Sequence, residues 1–302
     1  MTNWTKQDIP NQTDKVFVIT GANSGLGFES TLALAEKGAT IVMACRSLER
    51  GQRATEKIKQ TIPAAKLDLM ELDLASLKSI HAFADAFKNK YDRLDVLLNN
   101  GGPVGADRQL TEDGFELHLG TNLFGYYALT GLLLAPLQKT PNSRVVTVSS
   151  RMNTDAKINW DDLMSEQSYD RFASYSQSKL ATILFAFELA RRLAAAGSSI
   201  KSIAVHPGLA KTGWADNNLS GFMKIMGKLM AALSYQSAEM GALPLLYAAT
   251  AETVRSGGYY GPDNDTKGYP TEVQPGDNAL NEENAKRLWE LSEELTDVGF
   301  KL

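Results

Sequence analysis

Val16-Phe-Val-Ile-Thr20-Gly21-Ala-Asn-Ser-Gly25-Leu-Gly27 predicts a strand, a glycine-rich turn and the start of a helix in immediate succession. Glycine takes positive φ readily and carries no side chain, so the three glycines would let a diphosphate approach the backbone closely. A helix that opens near Ser24 would direct free N–H groups and the positive end of its dipole at that diphosphate. The segment is therefore predicted to form a phosphate-binding corner.

The residues after the turn complete a strand–helix–strand unit. Phe28, Leu32 and Ala35 recur at helical spacing, Gly38 ends that helix, and residues 39–44 resume as a strand. Glycines also mark plain turns that bind nothing, but this context favours the nucleotide-binding interpretation. The expected cofactor contacts in the turn are Gly21, Asn23, Ser24, Gly25, Leu26 and Gly27.

Composition restricts the classes of function. The chain has 302 residues, of which 43% are apolar and 22% charged, and its net charge of -4 offers no basic excess for nucleic acid or an anionic membrane. Its single cysteine and three scattered histidines predict neither an intramolecular disulfide nor a metal site. Residues 1–14 form a polar lead without the apolar run of a signal peptide or membrane anchor, so we expect a cytoplasmic location.

Strand and helix patterns alternate along most of the chain. Such alternation predicts a Rossmann-type α/β fold, a doubly wound parallel sheet with helices on both faces, in a single domain over residues 1–302. Ligands of this architecture bind beyond the carboxyl ends of the strands. After the first unit, helices are expected at 47–60, 76–90 and 172–196, one or two helices between 111 and 139, and strands at 66–72, 94–98, 144–148 and 200–205.

Two strand ends predict how an adenosine group would be bound. An acidic residue usually follows the second strand of an NAD-specific site, but here Cys45 takes that place and Arg46 follows. A guanidinium pairs with a 2′-phosphate that a carboxylate would repel, which favours NADP(H), although Arg46 could also be a solvated residue at a helix start. Asp73, at the end of the third strand, could accept from an adenine amino group or cap a helix, and we include it with Leu74 among the cofactor contacts.

Tyr175 and Lys179 lie four residues apart, so a helix would place the phenol and the ammonium on one face. One such pair is weak evidence, because amphipathic helices carry them by chance. The pair gains weight from Ser149-Ser150 at the end of the preceding strand and from Asn122 further upstream.

Together these motifs resemble the short-chain dehydrogenase/reductase family, through Thr20-Gly21-x-x-x-Gly25-x-Gly27 and through Asn, Ser, Tyr and Lys in the family's order. The segment Ala44-Cys-Arg-Ser47, the 25-residue step from Ser150 to Tyr175 and the segment Gly257-Gly-Tyr-Tyr-Gly-Pro262 are most similar to the retinol dehydrogenase and protochlorophyllide reductase group. The light-driven reductases of that group carry a cysteine two residues after the lysine. Ala181 stands there instead, which argues against a photoenzyme.

The resemblance implies roles for four catalytic residues. Tyr175 would act as general acid/base, and Lys179, with the oxidised nicotinamide, would lower the pKa of its phenol and bind the nicotinamide ribose. Ser150 would hold the substrate oxygen, with Ser149 as the fallback, and Asn122 would steady a water that relays protons.

The resemblance also implies further cofactor contacts. The family's Asn-Asn-Ala-Gly stretch corresponds to Asn99-Asn100-Gly101-Gly102, where the glycine in place of alanine is expected to loosen the backbone. After the sixth strand, Pro207, Gly208 and Thr212 are the expected contacts.

The stretch over residues 212–237 is expected to form a substrate lid, because Trp, Phe, Met and Leu concentrate there between Trp214 and Leu233. Packed core is the alternative interpretation. An apolar lid would favour an apolar small-molecule substrate.

These observations predict an NADP(H)-dependent oxidoreductase that interconverts a carbonyl and an alcohol. Two alternatives stay open: reduction of a carbon–carbon double bond, and a non-catalytic NADP-binding sensor or scaffold. Members of the family are commonly dimers or tetramers, so a homodimer or homotetramer is the implied assembly.

Overall fold

The computed structural model describes residues 3–210 and 236–302. These residues form an eight-stranded sheet in the order β3-β2-β1-β4-β5-β6-β7-β8, in which β1 to β7 run parallel and β8 pairs antiparallel with β7. The strands are β1 (Val16–Thr20), β2 (Thr40–Cys45), β3 (Lys66–Glu71), β4 (Val96–Asn99), β5 (Arg144–Val148), β6 (Lys201–Val205), β7 (Tyr259–Pro262) and β8 (Pro270–Glu272).

Strand β1 lies between β2 and β4, so the chain reverses its direction of winding at this point. The connections that leave β1 and β4 therefore diverge and leave a crevice at the carboxyl edge of the sheet. The predicted doubly wound α/β fold is confirmed.

Helices cover both faces of the sheet. Their bounds are α1 (Gly25–Glu36), α2 (Leu48–Thr61), α3 (Leu77–Lys90), α4 (Leu117–Leu119), α5 (Tyr126–Leu132), α6 (Leu134–Gln138), α7 (Arg171–Ala195), α8 (Ala238–Thr250) and α9 (Glu282–Thr296). Between α4 and α5 the chain continues as a π-helical segment, Gly120–Gly125. Short 3₁₀ turns lie at Lys6–Asp8, Arg151–Asn153, Trp160–Asp162 and Asp277–Leu280.

Each face of the sheet packs against its own apolar cluster. Residues of α3, α5, α7 and α9 form one cluster with alternate strand residues such as Val18 and Val145. Residues of α1, α2 and α8 form the other with Phe17 and Val146. Burial on both faces explains why the central strands are almost continuously apolar in sequence.

The C-terminal elements α8, β7, β8 and α9 were absent from the predictions. The strands β7 and β8 are only four and three residues long, and their segments contain glycine and proline, so they carry little periodicity. Elsewhere the predicted ends differ by a few residues: the fourth strand begins at Val96 and the long helix at Arg171.

The polar N-terminal lead packs against the domain from Asn3 onward. The ring of Trp4 meets Tyr247 edge-on at 5.3 Å, and Lys6 forms a 2.9 Å ion pair with Glu239 of α8. Ile9 is buried. No helix within residues 3–210 and 236–302 has both the length and the apolar character needed to cross a membrane.

The predicted lid over residues 212–237, including the predicted cofactor contact Thr212, lies outside the described residues except for Gln236 and Ser237.

Candidate active site

The glycine-rich turn holds α1 unusually close to the end of β1. Gly21 has a φ of +67°, and its N–H donates to the carbonyl oxygen of Ala44 at 2.9 Å. A Cβ atom at Gly27 would lie 2.3 Å from the carbonyl oxygen of Gly21, so a side chain there would push the helix off the turn. Ser24 is the N-cap of α1, but its side chain makes no capping bond to the helix. The first N–H groups of α1 therefore point to the crevice with a hydroxyl beside them.

The residues that follow β4 are hydrogen-bonded to the last residue of β1, next to the glycine-rich turn. The hydroxyl oxygen of Thr20 accepts from the N–H groups of Asn100 and Gly101, both at 2.8 Å, and the Asn100 side chain donates to the Thr20 carbonyl at 2.8 Å. A Cβ atom at Gly101 would lie 2.9 Å from the nitrogen of Gly21. The expected loosening at this position stays a prediction, and the structure adds that Gly101 serves the close approach of two backbone segments.

Asn99 differs from its neighbour. Its side chain is fully buried, donates to the Thr130 hydroxyl at 3.2 Å, and lines neither of the cavities described next. This amide therefore faces α5 inside the core, away from the crevice.

Two adjoining cavities of about 430 and 390 Å³ occupy the crevice. They share part of their walls, so together they form one cleft, and both have the size range of small-molecule sites. We call the first the inner cavity, lined among others by Leu26, Val148, Ser149, Tyr175, Lys179 and Pro207. The second, the outer cavity, is lined among others by Asn23, Arg50, Asp73 and Leu74. Both cavities share Gly21, Ser24, Arg46, Gly101, Gly102, Pro103 and Ala106.

Arginines stand at the open side of the outer cavity. Arg46 is exposed and lines both cavities, while Arg50, in the first turn of α2, lines the outer one. Sequence reasoning missed Arg50, because Arg46 precedes the N-cap Ser47 and no helical spacing links the two arginines. Asp73 lies at the opposite wall, where its carboxylate accepts from the N–H of Ala75 at 3.0 Å.

Cys45 turns away from the cleft. The residue is fully buried, and burial raises the pKa of its thiol to about 11, against the opposing effect of hydrogen bonds from the backbone of Ala22 and Asn23. The thiol therefore supports the glycine turn from below.

Tyr175 and Lys179 lie together on α7 at the inner end of the cleft. The helix begins after Asp170, whose carboxylate accepts from the N–H groups of Phe172 and Ala173. The Lys179 ammonium is 5.8 Å from the centre of the Tyr175 ring and donates to the carbonyl oxygen of Val148 at 2.9 Å.

Burial sets the protonation of both groups. It raises the pKa of Tyr175 to about 12, a shift that a hydrogen bond with Ser150 partly opposes, and it lowers the pKa of Lys179 to about 7. The prediction that Lys179 and the oxidised nicotinamide together lower the pKa of the phenol stays a prediction, since it concerns the chain with its cofactor bound. Desolvation shifts both pKa values in this way because it disfavours the charged form of each residue.

The two adjacent serines have different partners. The Ser149 hydroxyl is buried and donates to the carbonyl oxygen of Lys179 at 2.7 Å. The Ser150 hydroxyl interacts with the Tyr175 phenol, which opposes the rise of the phenol pKa, and accepts from the N–H of Met152 at 3.3 Å. Ser150 is thus the serine that acts on the phenol, whereas Ser149 is the one that lines the inner cavity.

Asn122 lies within the π-helical segment and is fully buried. Its side-chain nitrogen donates to the Ser178 hydroxyl at 3.0 Å, and that hydroxyl donates to the carbonyl oxygen of Tyr175 at 2.7 Å. Its side-chain oxygen has no hydrogen-bond partner among the described residues. Asn122 is thus connected to the turn of α7 that carries Tyr175 but lines neither cavity.

The turn after β6 closes the inner cavity. Pro207 lines that cavity, and its carbonyl oxygen accepts from the Gln236 side chain at 2.7 Å, while Gly208 has a φ of +65°. Burial lowers the pKa of His206 to about 4, and its Nδ1 accepts from the N–H of Gly208 at 3.3 Å. A neutral His206 therefore supports the turn.

These features fit a dinucleotide. The cleft is continuous from Asp73 to Tyr175, and the N-terminus of α1 lies where a diphosphate needs donors. Within residues 3–210 and 236–302, no cluster of three or more His, Cys, Asp or Glu side chains could hold a metal ion.

Comparison with known proteins points in the same direction. Residues 15–221 match the sequence model of a family described as short chain dehydrogenase. Retinol dehydrogenase 14 from Homo sapiens is 37% identical over 295 residues, which cover 92% of this chain and 85% of the relative. Retinol dehydrogenase 12 from Homo sapiens is 38% identical over 289 residues, with 95% and 88% covered. A crystal structure of an uncharacterized protein from Mycobacterium Paratuberculosis matches with a TM-score of 0.83 at 38% identity, over 100% of both chains.

Proposed function

Because the chain belongs to the short-chain dehydrogenase family, an oxidoreductase family that uses nicotinamide dinucleotides, we propose that it is an NADP(H)-dependent enzyme that interconverts a carbonyl and an alcohol on an apolar small molecule. One observation carries the proposal. At the inner end of the cleft, Tyr175 lies beside Lys179, both residues line the cavity that the glycine turn also lines, and the Tyr175 phenol interacts with Ser150.

The chain's own groups suit the transfer of a proton. The cofactor would supply or accept a hydride, held by the glycine turn, Arg46, Asp73 and Lys179. A phenol with a pKa near 12 is protonated at neutral pH, so Tyr175 can give its proton to a carbonyl oxygen during reduction. Ser150 would donate a hydrogen bond to the same oxygen and stabilise its developing negative charge.

The oxidation direction needs the opposite proton transfer. Tyr175 must then accept a proton from the alcohol, and a protonated Lys179 favours the phenolate that can do so. The pKa of Lys179, about 7, lets this residue change charge near neutral pH. Asn122 would contribute by holding the Tyr175 turn of α7 through Ser178.

The positive charge at the outer cavity supports NADP(H) as the cofactor. Arg46 and Arg50 form no ion pair with any described residue, and no acidic residue stands at the end of β2. Two guanidinium groups without an ion-pair partner among residues 3–210 and 236–302 would attract a 2′-phosphate and supply the fork geometry that phosphate oxygens need.

Exposed apolar side chains that lie close in sequence to the predicted reacting groups support an apolar substrate. Met152, Phe172 and Leu209 are 41%, 43% and 38% exposed. Each lies within three residues of Ser150, Tyr175 or Pro207 along the chain. Exposed clusters of large apolar groups commonly mark ligand sites. The relatives named retinol dehydrogenase act, by that name, on an apolar alcohol, which agrees with this inference.

The test is a panel of apolar and small polar carbonyl compounds and alcohols, followed by NADPH and NADH absorbance, with Tyr175→Phe as the control. We expect NADPH oxidation with apolar carbonyls and none with the variant. Product analysis separates an alcohol from a saturated carbon–carbon bond, which would make the protein a double-bond reductase. NADPH binding without turnover of any compound would identify a sensor or scaffold and contradict the proposal.

Location and assembly belong to the same proposal. Cell fractionation tests the expected cytoplasmic location, and light scattering on the purified protein tests the expected homodimer or homotetramer. A membrane-bound fraction or a monomer would contradict the respective expectation.

A further inference from the structure

A buried pair of titratable residues lies beside the cleft and has no part in the proposed chemistry. Glu116 and His118 are 1% and 0% exposed, and their side chains meet at 3.0 Å between Oε1 and Nδ1. The Glu116 carboxylate also accepts from the N–H groups of His118 at 3.0 Å and Leu119 at 2.8 Å. Burial raises the pKa of Glu116, but these hydrogen bonds outweigh it and the net pKa is lowered. The carboxylate is therefore charged and fixed.

The hydrogen-bond network assigns the protonation of the His118 ring. Its Nε2 accepts from the N–H of Ala106 at 3.1 Å, so the ring proton belongs on Nδ1, where Glu116 accepts it. The carbonyl oxygen of Ala106 is bound as well, by the Tyr169 hydroxyl at 2.8 Å. Both backbone polar groups of Ala106 are thus held by side chains behind the cleft wall.

Ala106 belongs to that wall. Together with Pro103 it lines both the inner and the outer cavity. A change in the position of Ala106 therefore changes the shape of the cleft along its whole length. The loop that carries it has no regular secondary structure to fix it otherwise.

The same imidazole also touches the predicted proton donor. The rings of His118 and Tyr175 meet edge-on, with centres 5.8 Å apart and planes at 66°. One side chain thus contacts the cleft wall on one side and the Tyr175 ring on the other.

We propose that His118, held by Glu116, is a positioning residue that fixes the cleft wall at Ala106 and the orientation of the Tyr175 ring. The effect on turnover rests on the proposed function, whereas the effect on cofactor affinity does not require turnover. A purely structural histidine would contribute to stability alone. A positioning histidine must also change cofactor affinity when its bond to Ala106 is removed.

The His118 Nδ1 also lies 3.3 Å from the Tyr169 hydroxyl. Two substitutions at His118 separate its bond to Glu116 from its bond to Ala106. Asparagine carries its amide at the place of Nδ1 and can still donate to Glu116, but it cannot reach Ala106. Glutamine is one carbon longer and places an oxygen near Nε2, where it can accept from the Ala106 N–H. We expect His118→Asn to raise the Kd for NADPH by roughly tenfold, the factor expected when a buried donor loses its acceptor, and to lower kcat as well. His118→Gln should restore the Kd to within about threefold of the unmodified protein.

Tyr169→Phe provides a second variant at a half-buried position, so the test does not depend on how well His118→Asn folds. It removes the hydroxyl that holds the Ala106 carbonyl and should raise the Kd for NADPH in the same direction. The matched control is His81→Asn, the same substitution at an exposed histidine of α3, which should change neither Kd nor kcat.

Calorimetric titration with NADPH, circular dichroism melting and steady-state rates give the outcomes. Unchanged Kd values for His118→Asn and Tyr169→Phe, with an active unmodified protein, would overturn the positioning role and leave the proposed function intact. Equal losses in the Asn and Gln variants would also overturn it, since a general packing defect explains them. An unmodified protein that binds no NADPH would overturn both proposals together.

Discussion

The outer and inner ends of the cleft use charge in opposite ways. At the outer end, Arg46 and Arg50 stand exposed at the start of α2, where water screens their charges. At the inner end, Tyr175 and Lys179 are 7% and 5% exposed. Burial raises the pKa of Tyr175 and lowers the pKa of Lys179, so it favours the neutral form of each residue.

This difference separates the end of the cleft that would select the cofactor from the end that would transfer the proton. Exposed arginines keep their full charge and bind a phosphate without an unfavourable change in protonation. Burial brings the pKa of Lys179 to about 7, where small electrostatic changes alter its charge, and raises the pKa of Tyr175 to about 12, which keeps the phenol protonated as a proton donor. We therefore expect substitutions at the inner end to change the rate and those at the outer end to change the choice of cofactor.

The largest effect is expected for Tyr175→Phe. Removing the phenol hydroxyl should reduce kcat by about 10²–10⁴, the usual loss for a general acid, and leave the Kd for NADPH almost unchanged. Stopped-flow rates and calorimetry measure the two quantities. A variant that kept more than about a tenth of the kcat would remove the basis for assigning chemistry to the inner end.

A second prediction compares the adjacent serines. Ser150→Ala should reduce kcat by roughly a hundredfold, because it removes a donor to the reacting oxygen. Ser149→Ala removes a hydrogen bond to the Lys179 carbonyl and should lower the free energy of unfolding by about 1 kcal/mol, with little effect on kcat. Steady-state rates and denaturant titration of both variants check this. The reverse order of rates would assign the role to Ser149.

A third prediction concerns the outer end. Arg46→Asp should shift the ratio of kcat/KM for NADPH and NADH by about tenfold or more toward NADH, because a guanidinium–phosphate contact becomes a repulsion. The matched control is Arg53→Asp, the same charge change on α2 outside both cavities. Equal shifts in the two variants would mean that net charge, and not a local contact, selects the cofactor.

The smallest effect is expected in the thermal stability of a Lys179 variant. Burial lowers the pKa of Lys179 from 10.5 to about 7, so between these values the unfolded chain binds a proton that the folded chain does not. The free energy of unfolding therefore rises with pH across this window, and the charged form destabilises the fold at lower pH. Lys179→Met should raise Tm by about 2–4 °C at slightly acidic pH, with a gain that shrinks toward alkaline pH.

Thermal melts without added cofactor, taken across that pH window, measure the gain. A lower Tm for Lys179→Met at every pH would show that the hydrogen bond from Lys179 to the Val148 carbonyl outweighs the burial of its charge.

Local sequence patterns determined much of what could be predicted about the fold and the family of this protein. The glycine turn, the alternation of apolar strands with helices, and the spacing of Ser150, Tyr175 and Lys179 were sufficient to predict a doubly wound sheet and the short-chain dehydrogenase family. These signals are local because a turn, a strand or a helix face depends on residues a few positions apart.

Only the tertiary structure decided which side chains face the cleft. It placed Ser149 in the wall of the inner cavity and Ser150 beside the Tyr175 phenol, turned Asn99 into the core, and brought His118 to Tyr175 across 57 residues of sequence. It also set the pKa of Tyr175, because burial depends on everything that packs around the phenol. Sequence spacing determines which residues share a face of one element, whereas desolvation and contacts between elements arise only when the whole chain packs.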